Sequence, residues 1–412
     1  MNKKLIMFVS LFLLIVLSAC SNDEESAQTD TDDGKKHLLL WHYYTGSQDA
    51  LNQIIEDYNQ SQDDIEVKAE YVPFDEMNRQ LSVGTAGDTL PDVVIADTVN
   101  NASMASMGIL SDITEQVEKW GKTDQLLKGP LNSAVYQDKY YGLPLTTNAL
   151  GLFYNKKLLE EAGIEAPPKT WEELEQVAAA LTTDEVKGFG LSATRSEEAT
   201  FQVYPFIYSA GGDYQHLDSP EVEEAFNFLK GMMDKGYMSK DIITATQDNL
   251  SRKFMEGDLA MMINGPWMID QIAAKEDLEF GITKIPKDEQ YVSVTGGDNI
   301  AITKDGDVDA AWDFVSWLFE PGQNERFAKE TGYYPTRADV LDQAEYWQTE
   351  QYFKDFVPIM EEAVARGPSA DWPNVSEAIQ ISLQEVLTGT KPTAESLKDA
   401  AEKVEELESE EE

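Results

Sequence analysis

The chain has 412 residues, with 76 Asp or Glu against 32 Lys or Arg, a formal charge of −44. A surface this acidic repels phosphate backbones and anionic lipid, which argues against nucleic acid as a partner. At about 150 residues per domain the length suggests two or three domains, and 42% hydrophobic residues suffice for real cores rather than disorder.

Lys3 and Lys4 precede an apolar run from Leu5 to Leu17 whose one polar member is Ser10. The run is short of the roughly 20 residues that span a bilayer. A charged start, an apolar stretch and small residues before a cut predict a signal peptide over residues 1–19. Leu17-Ser18-Ala19-Cys20 also resembles the lipobox of bacterial lipoproteins. That resemblance implies cleavage before Cys20, acylation of its sulfur and anchoring at the outer face of the cell membrane. A plain secretory peptide is the alternative. Cys20 is the only cysteine, so a fold that follows it has no internal disulfide. Residues 20–36 are polar and acidic and read as a tether. The acidic run from Glu405, with a tail over 406–412, is expected to repel itself and extend.

Order begins at Leu38-Leu39-Leu40-Trp41, a short buried strand. Leu51, Ile54, Ile55 and Tyr58 then mark one face of a helix. Ile65, Val67, Ala69 and Tyr71 alternate as in a strand, Asp75 to Val83 reads as a helix, and Asp92 to Ala96 as a further buried strand. This alternation predicts a parallel sheet wrapped by helices, an α/β fold. After Gly142-Leu143-Pro144, Gly151 to Tyr154 is a strand, and Thr170 with Glu173 predicts a capping box. Ser219-Pro220 opens a helix that Gly236 ends. Leu259 to Ile263 is a strand closed by Gly265-Pro266. Val308 to Phe319 and Asn374 to Leu387 are amphipathic helices. Ligands of open α/β sheets sit beyond the strands' carboxyl ends. Three exits therefore stand out: His42 to Gly46, Asp97 to Asn101, and Asn264-Gly265-Pro266-Trp267.

Several segments together resemble the family 1 extracellular solute-binding proteins. They include Tyr141-Gly142-Leu143-Pro144, Asn148 to Lys156, Pro167-Pro168-Lys169-Thr170-Trp171-Glu172-Glu173-Leu174, Phe254 to Asp258, Asn264 to Trp267, and Leu387-Thr388-Gly389. The match runs in order from about residue 37 to 405. It implies a two-lobed periplasmic-binding-protein-like fold with hinge crossings and a cleft between the lobes. Residues 37–147 with 300–345 would form the N-lobe, and 148–299 with 346–405 the C-lobe. Crossings are expected near Thr147–Gly151, near Gly296–Ile300 and around 345–355. The resemblance further implies a monomer that closes on a carbohydrate, an oligosaccharide by preference, and hands it to the membrane permease of an ABC importer.

A sugar offers an apolar C–H face and a rim of hydroxyls, so its cleft combines aromatic rings with carboxylates and amides. By resemblance Trp267 stacks on sugar, Asp97 accepts hydroxyls and Asn148 stands at the hinge, where the family's maltose binder carries glutamate. Packing competes as a role for Trp267, and helix capping for Asp97. Tyr204 either faces the cleft or packs. His42, Tyr43, Tyr44 and Gln48 follow the first strand, with capping and packing as competing roles. Trp372 lies near a stacking tryptophan of the family, Gly297 and Asp298 lie at a crossing, and Tyr334 is a further candidate. Glycerol phosphate would need Arg or Lys at these exits, which are poor in both; a polyamine fits acidic walls flanked by aromatics. The chain has no Gly-x-Ser-x-Gly elbow, no His-Glu-x-x-His and no phosphate loop, and His37, His42 and His216 are scattered. No catalysis, metal or cofactor is therefore expected. A glycan-active carboxylate pair stays open as an alternative, since it needs only spatial closeness.

Overall fold

The structure is a computed structural model that describes residues 34–366 and 369–411. The expected signal peptide, Cys20 and most of the tether lie outside the described residues.

From residue 37 onward the chain forms one unit. Its strands are β1 (Lys36–His42), β2 (Ile65–Tyr71), β3 (Val93–Asp97), β4 (Val135–Tyr136), β5 (Lys139–Tyr140), β6 (Leu143–Pro144), β7 (Thr146–Ala149), β8 (Gly151–Asn155), β9 (Met261–Asn264), β10 (Phe280–Thr283), β11 (Ser293–Gly296), β12 (Asp298–Ile302), β13 (Tyr334–Pro335) and β14 (Ala363–Ala365). The first lobe is built on a sheet of order β2-β1-β3-β12-β6. Because successive side chains alternate faces, Val93, Ile95, Ile300 and Ile302 enter one core, and Val94, Ala96 and Ala301 the other. The helix Gln48–Ser61 buries Leu51, Ile54, Ile55 and Tyr58, the face its spacing predicts.

The sheet is not wholly parallel. β1 and β3 pair in parallel, but β12 runs antiparallel to both β3 and β6. The strand–helix alternation of residues 38–96 cannot reveal a partner that arrives 200 residues later in the chain. Its direction has a consequence: the start of β12 lies at the end of β3, so Asp298 pairs with Asp97.

The second lobe holds the antiparallel sheet β10-β8-β9 and a larger core that runs on through the C-terminal helices. A third sheet, β13-β7-β11-β14, joins the lobes. β7 follows β6 of the first lobe and precedes β8 of the second, while β11 precedes β12 on the return. Asn148 thus faces Gly296 across β7 and β11.

Local signals act as their chemistry requires. The Thr170 hydroxyl accepts from Glu173 N–H at 3.2 Å and opens the helix Trp171–Leu181. The reciprocal bond of the box shifts by one residue, with the Glu173 carboxylate accepting from Lys169 N–H at 2.7 Å. Ser219 caps Pro220–Asp234 through Val222 N–H, with proline at the first helical position. The acidic C-terminal run differs from the expected extended tail. It continues the helix Thr393–Glu411, because Leu397, Ala400, Ala401, Val404 and Leu407 give it an apolar stripe on the second lobe's core.

Candidate ligand-binding cleft

The strand exits and crossings converge on a cavity of about 730 Å³. The turn after β1 supplies Tyr43, Tyr44 and Gly46. The exits of β3 and β9 supply Asp97 and Trp267, and the crossing supplies Asn148, Gly297 and Asp298. These predicted residues line one cavity although they span much of the sequence.

Its wall is a row of touching rings. Phe201 to Trp267 is 6.3 Å between centroids, Trp267 to Tyr333 6.0 Å, Tyr333 to Tyr44 5.6 Å, Tyr44 to Tyr43 5.8 Å and Tyr43 to Phe74 4.9 Å. All six rings line the cavity, and Trp267 packs on the cores of both lobes. The Trp267 ring folds back over Gly265, where a Cβ would come within 1.9 Å of it. Only glycine leaves that space, which explains the Gly-Pro-Trp sequence at this exit. Gly297 is fixed by its backbone as well: its φ is +138°, and a Cβ would stand 2.3 Å from the Thr146 carbonyl oxygen.

The carboxylates lie against this wall. Asp298 is buried and accepts from the hydroxyls of Tyr43, Tyr44 (2.8 Å) and Thr146 (2.7 Å). Burial pushes its carboxyl up to about 6, against the pull of those three donors. Asp97 caps the turn after β3, accepting from Val99 N–H at 3.2 Å, and also receives Arg366 Nη2 at 3.2 and 3.3 Å. Asp97 thus fills the competing capping role and also lines the cavity.

Arg366 is buried, stands 4.0 Å over the Phe201 ring and pairs with Glu197 as well as Asp97. Glu197 also accepts from Trp372 Nε1 at 3.1 Å and from the Ser376 hydroxyl. Trp372, on the helix Trp372–Thr388, is therefore one step behind the cleft, packed on Tyr204 with centroids 5.7 Å apart.

Five predicted residues stand outside the lining. Tyr204 and Trp372 are fully buried in the second lobe's core. Tyr334 is buried with its hydroxyl on the Phe353 carbonyl oxygen; its neighbour Tyr333 takes the cleft, as alternation along a strand requires. His42 is buried beneath the turn, and its Nδ1 accepts from Tyr44 N–H at 3.2 Å. Burial lowers His42 to about 4, so the ring stays neutral. Gln48 is exposed at the start of its helix.

The cleft also contains residues that sequence reasoning passed over: Phe201, Glu198, Arg366, Tyr333, Gln247 and Asp248. Glu198 is the second residue of a helix, one of 76 acidic residues, and Arg366 follows a three-residue strand. Neither carries a local pattern; the only available sign was an arginine in an apolar stretch beside Gly367-Pro368. Across the mouth, the Thr45 hydroxyl donates to Asp248 at 3.1 Å, and Gly46 closes on Gln271, whose Nε2 would be 1.9 Å from a Cβ. The turn after β1 thus touches the second lobe across the mouth.

Residues 53–354 match the family described as bacterial extracellular solute-binding protein. The chain belongs to that family. Among relatives of this solute-binding protein is the maltotriose-binding protein of Pyrococcus abyssi (strain GE5 / Orsay), 26% identical over 336 residues, which cover 77% of this chain and 70% of that one. A solute-binding protein of an ABC transporter from Thermotoga lettingae, solved with α-D-tagatose, is 29% identical with a TM-score of 0.81, covering 90% of this chain and 99% of that one. Maltose-bound MalE3 of T. maritima is 23% identical with a TM-score of 0.83 over 90% and 99% of the two chains, a likeness of fold. These relatives are solute-binding proteins rather than enzymes, and the family is extracellular.

Proposed function

We propose that this protein captures a carbohydrate outside the cytoplasm by hinge closure and delivers it to the permease of an ABC importer. The observation that carries this reading is the six-ring wall from Phe74 to Phe201 with amide and carboxyl groups beside it. The wall crosses from one lobe to the other, so a ligand lying along it holds both. Ring faces suit sugar C–H groups, and a largely preformed concave site suits their orientation. Solute-binding relatives named for maltotriose and tagatose support the same class. The reading takes residues 37–147 with 300–345 as one lobe and 148–299 with 346–405 as the other, working as a monomer anchored through lipid on Cys20.

Two alternatives have weaker support. A phosphate ester needs a cation, but Arg366 is buried and engaged by Asp97 and Glu197, which leaves only Arg195, in an exposed pair with Glu377 at 3.2 Å, against the cleft's carboxyls. A polyamine would suit the acids and rings but not the long continuous wall. A calorimetric screen of mono- and oligosaccharides, glycerol phosphate and polyamines decides among them. Heat from neutral sugars alone is the expected result. Heat from only the charged compounds would overturn the assignment.

A further inference from the structure

The cleft's carboxyls differ in burial and in what occupies their oxygens: Asp97 and Asp298 are buried, Glu198 and Asp248 half-buried, and Asp248 takes the Thr45 hydroxyl at the mouth. Asp298 is filled by three hydroxyl donors, and Asp97 by Arg366 and a backbone N–H. Neither has an oxygen free of protein donors. Glu198 does. Its Oε2 accepts from Gln247 N–H at 3.0 Å and from the Ser192 hydroxyl at 3.1 Å. Among the described residues no hydrogen bond reaches Oε1 and no Lys or Arg pairs with the group. These two donors fix the side chain, and its place in the first turn of the helix Glu197–Ser209 supports negative charge there.

We propose that Glu198 is the specificity-determining carboxyl of the cleft, accepting hydroxyls of a neutral polyhydroxy ligand through its open oxygen and turning anionic groups away. The inference rests on the carbohydrate reading and narrows it. The charged groups that share the lining with Glu198 are Asp75, Asp97, Asp248, Asp298, Arg195 and Arg366; Arg366 is buried between two carboxylates, and Arg195 lies in an exposed pair with Glu377. A phosphate or carboxylate on the ligand would therefore meet five lining carboxyls, with only the exposed Arg195 outside the buried Arg366 network. A hydroxyl meets an acceptor already held in place, which is the arrangement that discriminates most strongly against an analogue lacking the group. Burial, with Asp248 and Asp75 adding repulsion, pushes Glu198 up to about 7, so the acceptor is more fully charged on the alkaline side of neutrality.

The test is calorimetry on the mature chain at pH 6 and pH 8, with maltotriose, mannobiose and tagatose as neutral probes and glycerol 3-phosphate and glucuronate as anionic ones. Wild-type protein is expected to bind a neutral probe, more tightly at pH 8, and neither anion. Glu198→Gln, which keeps the shape and one acceptor, is expected to lose at least about tenfold in affinity at pH 8 and the larger part of the pH dependence, with Asp298 still titrating at about 6. Glu198→Asp, which draws the open oxygen back, should lose a comparable amount. Wild-type affinity with unchanged pH dependence in Glu198→Gln overturns the role of Glu198 and leaves the carbohydrate reading intact. Binding of anions with no response to any neutral probe overturns both.

Discussion

Trp267 and Arg366 show how differently two cleft residues act. Trp267 is partly exposed and touches both cores, so on the proposed reading its truncation would remove ligand contact more than core. Trp267→Ala is expected to weaken sugar binding by more than about tenfold while the thermal melt stays cooperative, since pocket-filling aromatics are typical hot spots. Unchanged affinity, read by calorimetry, would remove Trp267 from the contact surface. Arg366 is wholly enclosed by Asp97, Glu197 and Phe201. Its loss leaves two carboxylates facing each other in a dry site. Arg366→Leu should cost about 3–5 kcal/mol in denaturant unfolding, the usual penalty for breaking a buried pair. A loss below about 1 kcal/mol would mean that water replaces the guanidinium. Gly297→Ala should also destabilise, because both φ and the Thr146 carbonyl oppose a side chain there.

At the scale of elements, much was legible because burial and capping are local. The stripe Leu51, Ile54, Ile55 and Tyr58 fixes its helix, and Thr170 fixes where another begins. Thr170→Ala should cost about 1 kcal/mol, read from the denaturation midpoint, as for other cap deletions. The exits of β1 and β3 came together because parallel neighbours end on a common side, and the β9 exit meets them from the second lobe's own sheet. Local reasoning stops at the register of distant strands. The antiparallel entry of β12 sets Asp298 beside Asp97, and no stretch of sequence encodes that direction. Glu198 and Arg366 escaped for the same reason: each is ordinary in sequence and has at least one decisive partner more than 40 residues away. Tyr204, Tyr334 and Trp372 show the converse. Their aromatic character drew notice, but burial in the second lobe's core accounts for it.

For the whole molecule, the cleft trades stability for binding. Glu198 and Asp298 both have raised folded values, about 7 and about 6. A carboxyl raised in this way lends its stability below its ordinary range near 4, and that contribution is lost as pH rises through the folded value. His42 runs the other way: lowered to about 4, it favours the fold above its ordinary 6.5 and ceases to do so as pH falls from there toward 4. Glu198→Gln should therefore melt at a higher temperature than wild type at pH 8, by an amount equivalent to roughly 1–3 kcal/mol, and at the same temperature near pH 4. A gain that persists at pH 4 would locate the effect elsewhere. Binding should draw the lobes together through the shared wall, since ligand that touches both favours the closed form. The most direct test is small-angle scattering during titration with a neutral oligosaccharide that gives calorimetric heat. A radius of gyration that falls and saturates at one ligand per chain is the predicted result; failure of every neutral sugar to bind, or saturation without compaction, would contradict capture of a carbohydrate by closure.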